Sequence, residues 1–135
     1  MLIDVYYPYD RVNEYSNGFV EEVKLMNLTI DLNENDKVID VKVNGEIDAY
    51  TAPKLKDALA STAEEQNVVM NVDLSEVSYM DSTGLGVFVG LFKTIKANGG
   101  QLYLNGLSER LKRLFDITGL GDIMNINSEV KGGVE

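Results

Sequence analysis

The chain has 135 residues, 22 acidic against 12 basic, and a formal net charge of −10. It has no cysteine and no histidine, which excludes disulfides, thiolate chemistry, the commonest metal ligand and a Ser-His-Asp mechanism assembled from this chain alone. An acidic surface is repelled by phosphate backbones and by anionic lipid, so neither nucleic acid nor a membrane is an expected partner.

The length suits one domain, and a hydrophobic fraction of 44% is enough for a real core. The longest apolar-plus-glycine run, Leu85 to Phe92, is far shorter than the roughly 20 residues of a membrane helix. The N-terminus shows no basic start followed by an apolar core. A cytoplasmic location is the expectation.

Residues 1–25 differ from the rest. Four of the seven tyrosines (Tyr6, Tyr7, Tyr9 and Tyr15) lie here with Pro8 and Asn17-Gly18, and no helical or strand period persists. Glu21-Glu22-Val23 can be encoded by bases that contain a bacterial ribosome-binding sequence, and only Lys24 and Leu25 separate it from Met26. The expectation is a domain over 26–135, with Met26 as its natural start and 1–25 an N-terminal extension of upstream origin. The alternative is an arm that packs on the domain.

From Asn27 onward the pattern is regular. Leu28, Ile30 and Leu32 alternate with polar residues, a turn cluster follows at Glu34-Asn35-Asp36, and Ile39, Val41 and Val43 alternate again. This predicts a β-hairpin. Gly45 ends the alternation, and Glu46-Ile47-Asp48 closes the strand. Thr51-Ala52-Pro53 starts a helix, with proline where no N–H is needed, and Leu55, Ala58, Leu59, Thr62 and Ala63 form its apolar face. Val68 to Asp73 reads as a central strand.

Next comes a short polar turn, Asp81-Ser82-Thr83-Gly84, then a helix with Leu85, Phe88, Val89, Phe92 and Ile95 on its buried face. Asp81, Ser82 and Thr83 are all good N-cap residues, and Ser82 is the hydroxyl expected at the helix start, on residue type alone as a plain N-cap. Gly84 and Gly86 each cost helix stability, roughly 1 kcal/mol relative to alanine. Two such costs in one first turn point to a close approach, by the sheet or by another molecule. Asn98-Gly99-Gly100 is a glycine stop rather than a phosphate loop, because no Gly-Lys-Ser/Thr follows. Leu102-Tyr103-Leu104 is a short strand, and Ser108 caps a helix carrying Leu111, Leu114 and Phe115. Gly119-Leu120 suits a left-handed C-cap folding back on Phe115, Ile123 to Ile126 is a last short strand, and Lys131-Gly132-Gly133 is a loose tail. A hairpin followed by strands alternating with helices is an α/β layer, a sheet covered by helices.

Three segments carry a resemblance. Tyr79-Met80-Asp81-Ser82-Thr83-Gly84-Leu85-Gly86-Val87-Phe88-Val89-Gly90 resembles the phosphorylation segment of bacterial anti-sigma factor antagonists, the small single-domain members of the STAS family. Gly45-Glu46-Ile47-Asp48-Ala49-Tyr50-Thr51-Ala52-Pro53 and Arg113-Leu114-Phe115-Asp116-Ile117-Thr118-Gly119-Leu120 are similar to two further segments of that family. The similarity covers about Met26 to Glu135 and is nearest to the branch that acts in the Gram-positive general stress response.

The resemblance implies the STAS fold, a small mixed β-sheet covered by about three to four α-helices. It implies a protein that is not an enzyme and needs no metal or other cofactor. In that reading Ser82 is the phosphoacceptor, and Asp48, Asp81, Ser82, Thr83, Gly84 and Gly86 form the partner surface, with Glu46 at its border. The implied partners are an anti-sigma factor serine kinase, which the unphosphorylated form binds to release a sigma factor, and a metal-dependent serine phosphatase. A scaffold or small-ligand-binding STAS domain is the alternative, opposed by the Asp81-Ser82-Thr83 sequence and the lack of a membrane segment. A hydrolase using Ser82 is remote, since histidine and a Gly-x-Ser-x-Gly elbow are both missing.

Overall fold

The computed structural model describes residues 2–5, as backbone, and residues 28–128; the expectations for the rest of 1–27 and for the Lys131-Gly132-Gly133 tail lie outside them. Among the described residues six strands form one sheet in chain order: β1 (Leu2–Val5), β2 (Leu28–Asn35), β3 (Val38–Ile47), β4 (Val69–Met80), β5 (Gln101–Leu107) and β6 (Asn125–Ser128). β1, β2 and β3 pair antiparallel, whereas β3 to β6 run parallel. Parallel neighbours need crossovers. Helices α1 (Ala52–Ala63), α2 (Ser82–Ala97) and α3 (Glu109–Ile117) supply the three of them.

Period-two alternation decides which face of the sheet is covered. Ile30, Val41, Val43, Met70, Val72, Leu102 and Leu104 are buried under the helices. Between them Asp31, Asp40, Lys42 and Gln101 point to solvent. On that open face Lys42 lies 3.9 Å from Asp73, and the Ser75 amide donates to Asp73 Oδ1 at 2.9 Å. Partial burial pushes the Asp73 carboxyl up, but the Ser75 hydrogen bonds and Lys42 outweigh it and hold the group below its ordinary value. Its stabilising contribution is therefore present above the unfolded carboxylate pKa and lost as pH falls through the folded one. Exposure of both partners keeps that contribution small.

The helix ends follow local chemistry. Proline stands in the first turn of α1. Ser108 Oγ accepts from the Leu111 amide at 3.2 Å and caps α3. Gly99 and Gly119, both at positive φ, turn the chain out of α2 and α3. Leu120, in a short 3-10 turn, packs against the core that holds Phe115.

Four elements differ from the sequence reading. The last strand is Asn125–Ser128 rather than Ile123 to Ile126, because a 3-10 turn ends at Ile123 and leaves it exposed. Leu2–Val5 is a strand on the edge of β2; four residues are too few to show a period. β4 runs on from Asp73 to Met80. Its register against β3 shifts between Lys42 and Asn44 and again between Gly45 and Glu46, so Leu74, Val77 and Met80 are buried every third residue and the alternation is lost. On α2, Val87 and Leu91 take the buried places expected of Val89 and Phe92, which are only half-buried. Helix α1 packs on that side of α2 and rotates the covered arc.

Phe88 is fully buried at the centre of this core. Phe88→Ala should cost about 3–5 kcal/mol, read as a lower urea midpoint with an unchanged slope; a wild-type midpoint would contradict the packing described.

Candidate functional site

The C-terminal ends of β3 and β4 lie side by side, with Ile47 opposite Met80. The turns that leave them for α1 and α2 form the candidate site. The first four amides of a helix have no intrahelical acceptor. Asp81 meets that need at the start of α2. Its backbone is extended (φ −115°, ψ −168°), and its side chain accepts from the amides of Thr83 and Gly84, at 2.9 and 3.4 Å. The Thr83 hydroxyl also donates to Asp81 Oδ1.

Ser82 is the first helical residue. It is exposed, and its hydroxyl has no hydrogen-bond partner among the described residues. Of the three residues that could have capped the helix, Asp81 caps it, Thr83 is tied to the cap, and Ser82 is left projecting. That division follows from extended geometry at Asp81, which aims its carboxylate across the turn at positions two and three residues on.

The neighbouring turn is held as firmly. Asp48 Oδ1 accepts from the amides of Tyr50 and Thr51, at 2.9 and 3.0 Å. The buried Thr51 hydroxyl donates to the Glu46 carbonyl at 2.7 Å, and its oxygen accepts from the Asp48 amide at 3.0 Å. The Asp48 carboxylate thus shapes its own turn while remaining partly open to solvent. The two turns are joined where the Asp81 amide donates to the Ile47 carbonyl at 3.3 Å.

The two first-turn glycines have different causes. A Cβ on Gly84 would stand 2.7 Å from Ile47 Cγ2 and 2.8 Å from Met80 Cγ, so Gly84 is required by packing on the strand ends. A Cβ on Gly86 or Gly90 would meet nothing within 4 Å. These two glycines open onto a groove of about 570 Å³ between α1 and α2, floored by Val87 and Leu91 and reaching Thr83 at the site end.

The sequence-expected residues Asp48, Asp81, Ser82, Thr83, Gly84 and Gly86 all fall on or beside these two turns, with Glu46 half-buried next to them. Three others were not singled out. Thr51 is the buried hub of the first turn, and Tyr50 and Tyr79 stand 54% and 44% exposed beside the two turns. Tyr79 pairs across the strands with Glu46. Large aromatics left open at a strand end were the available signal. Among the described residues no cluster of three potential ligands could hold a metal ion, and no helix is long and apolar enough to cross a membrane.

Comparison with known proteins places this geometry. The STAS domain family model matches residues 29–132. The anti-sigma-B factor antagonist of Bacillus subtilis is 54% identical over 110 residues, spanning 82% of this chain and 100% of that protein. The protein of the same name from Listeria monocytogenes is 54% identical over 111 residues, 79% of this chain and 97% of its own. A crystal structure of an anti-sigma factor antagonist from Mycobacterium paratuberculosis superposes with a TM-score of 0.66 at 26% identity, over 74% of this chain and 85% of that one. The chain belongs to the STAS domain family, among its anti-sigma factor antagonists.

The site geometry is testable without any partner. Gly84→Ala should destabilise by about 1–3 kcal/mol through overpacking, while Gly86→Ala should stabilise by roughly 0.5–1 kcal/mol by removing a helix glycine where there is room. Equal effects in chemical denaturation would refute the distinction. Asp81→Ala should cost about 1 kcal/mol and speed hydrogen exchange at the Thr83 and Gly84 amides; unchanged exchange there would mean the cap is not as described.

Proposed function

We propose that the chain is a phosphorylation-controlled anti-anti-sigma factor; its relatives are named anti-sigma-B factor antagonists. The observation that carries this reading is the Ser82 hydroxyl, exposed and without a hydrogen-bond partner among the described residues, at the first position of a sixteen-residue helix while its neighbours are hydrogen-bonded. A kinase needs such an oxygen. Thr83, one residue on, is a poorer acceptor because its hydroxyl is engaged by Asp81.

In the unphosphorylated state the turn, with Asp48, Asp81, Ser82, Thr83 and Gly86 on or near its surface, docks on an anti-sigma factor that is also a serine kinase. The sigma factor is thereby released, and stress-response transcription begins. The kinase transfers the γ-phosphoryl group of its ATP to Ser82 Oγ, ADP leaves, and the serine proton passes to a base on the kinase. A separate metal-dependent phosphatase hydrolyses the ester and resets the switch. This chain is substrate and adaptor in the cytoplasm and catalyses neither step.

The energetics support an on/off device. Phosphoserine adds roughly −1.5 to −2 charges beside Asp81, in a chain already at −10. Within the molecule the helix N-terminus tolerates that charge. Across an interface, like charges brought together cost several kcal/mol, and shifting an equilibrium from 1:99 to 99:1 takes about 5.5 kcal/mol. One phosphate inside the contact is of the required size.

Ser82→Ala should keep binding to the purified anti-sigma factor and lose all labelling from γ-labelled ATP. Ser82→Asp should bind at least tenfold more weakly, roughly 1.4 kcal/mol or more. Labelling of the Ser82→Ala protein at Thr83 would show the acceptor to be the other hydroxyl, and equal binding by Ser82→Asp would overturn the switch.

A further inference from the structure

Helix α3 has three faces. Leu111 and Phe115 are buried in the core. Lys112 and Asp116 pair along a second face at 3.0 Å. The third carries Arg110, Arg113, Leu114 and Ile117, spaced three, four and seven residues apart so that they form one stripe. With Met80 and Leu111 these residues line a cleft of about 170 Å³, room for one apolar side chain. Ile117, at its rim, is 75% exposed.

Two further facts say what this face accepts. Among the described residues Arg110 and Arg113 make no ion pair and no side-chain hydrogen bond. In a chain with 22 acidic and 12 basic residues, two guanidiniums that have no partner among the described residues and stand beside an apolar slot complement carboxylates, which the planar fork of arginine binds bidentately. The cleft also adjoins the Ser82 turn within the fold, because the buried Met80 both lines the cleft and stands against Gly84. Cleft and turn therefore lie on either side of one residue at the end of β4.

We propose that this face of α3 is a second docking surface for the anti-sigma factor, taking an acidic segment that inserts one apolar side chain between Arg110, Arg113 and Ile117. The inference rests on the reading of the Ser82 turn as the partner surface. The two contacts divide the work. The turn senses the phosphate, whereas the arginines are indifferent to it, so the phosphorylated chain keeps a weak hold through α3.

The test is calorimetric titration of the purified anti-sigma factor with the wild-type chain, Ser82→Asp, Arg110→Glu/Arg113→Glu and the milder Arg110→Gln/Arg113→Gln, at about 50 and about 300 mM salt. The side chains are exposed, and a matched thermal midpoint for either arginine variant separates a lost contact from a lost fold. The charge reversal should weaken binding at least tenfold, and the neutral variant should show a flatter salt dependence than wild type. Combined with Ser82→Asp, the reversal should remove the residual binding. Wild-type affinity and salt dependence in both arginine variants would overturn the proposal. So would unchanged affinity accompanied by slower dephosphorylation by the phosphatase, which would assign the face to that partner. Absence of binding by the wild-type chain would overturn the anti-sigma reading beneath it.

Discussion

One carboxylate organises the exposed end of this molecule. By accepting from the amides of Thr83 and Gly84, Asp81 satisfies donors that a buried-faced helix would otherwise present unpaired to its surroundings. It fixes the direction in which α2 leaves the sheet and leaves the next residue with nothing to bond among the described residues. Had Ser82 been the cap, its hydroxyl would have been turned inward onto the helix. The exposure of Ser82 is thus a consequence of which neighbour does the capping.

That arrangement depends on the sheet beneath it. β3 and β4 are parallel, so both deliver their turns to the same end. The two turns come close enough to share the Asp81–Ile47 hydrogen bond, and the absence of a side chain on Gly84 permits that spacing. The core behind them is anchored by Phe88 and Ile47, both fully buried. A surface held by paired backbone and dense packing is preorganised, so a partner loses little ordering entropy in binding it.

The sequence shows much of this where one physical rule acts alone. The hairpin alternation at Leu28 to Val43, the proline start of α1, the Ser108 cap and the left-handed Gly119 are each set by local chemistry, and each stands where the pattern puts it. Legibility fails where tertiary contacts override the period. The second half of β4 is hidden by register shifts imposed by β3. The buried arc on α2 is turned toward Val87 and Leu91 by α1, a neighbour distant in sequence. Within the site, residue type alone makes Ser82 the N-cap, whereas in the structure Asp81 caps and Ser82 is the first helical residue. Only the extended backbone at Asp81 separates the capping carboxylate from the free hydroxyl, and backbone angle is not written in residue identity. Gly84 and Gly86 looked alike for the same reason, although one fills a steric need and the other borders open space.

The same geometry explains how a modification can control binding without threatening the fold. A phosphate on Ser82 would lie at the positive end of α2, beyond the cap and outside the core, so the helix dipole offsets part of the repulsion from Asp81. On the proposed reading, folding stability rests mainly on the Asp81 cap, Gly84 and the apolar face of α2, whereas the phosphate-dependent part of partner affinity would rest on the projecting Ser82 hydroxyl. A switch placed on Thr83 would not have this property. Phosphorylating a hydroxyl that bonds the capping carboxylate would set two negative charges against each other inside the turn and loosen the helix start. Control of binding would then come with a cost in stability, which the free position of Ser82 avoids.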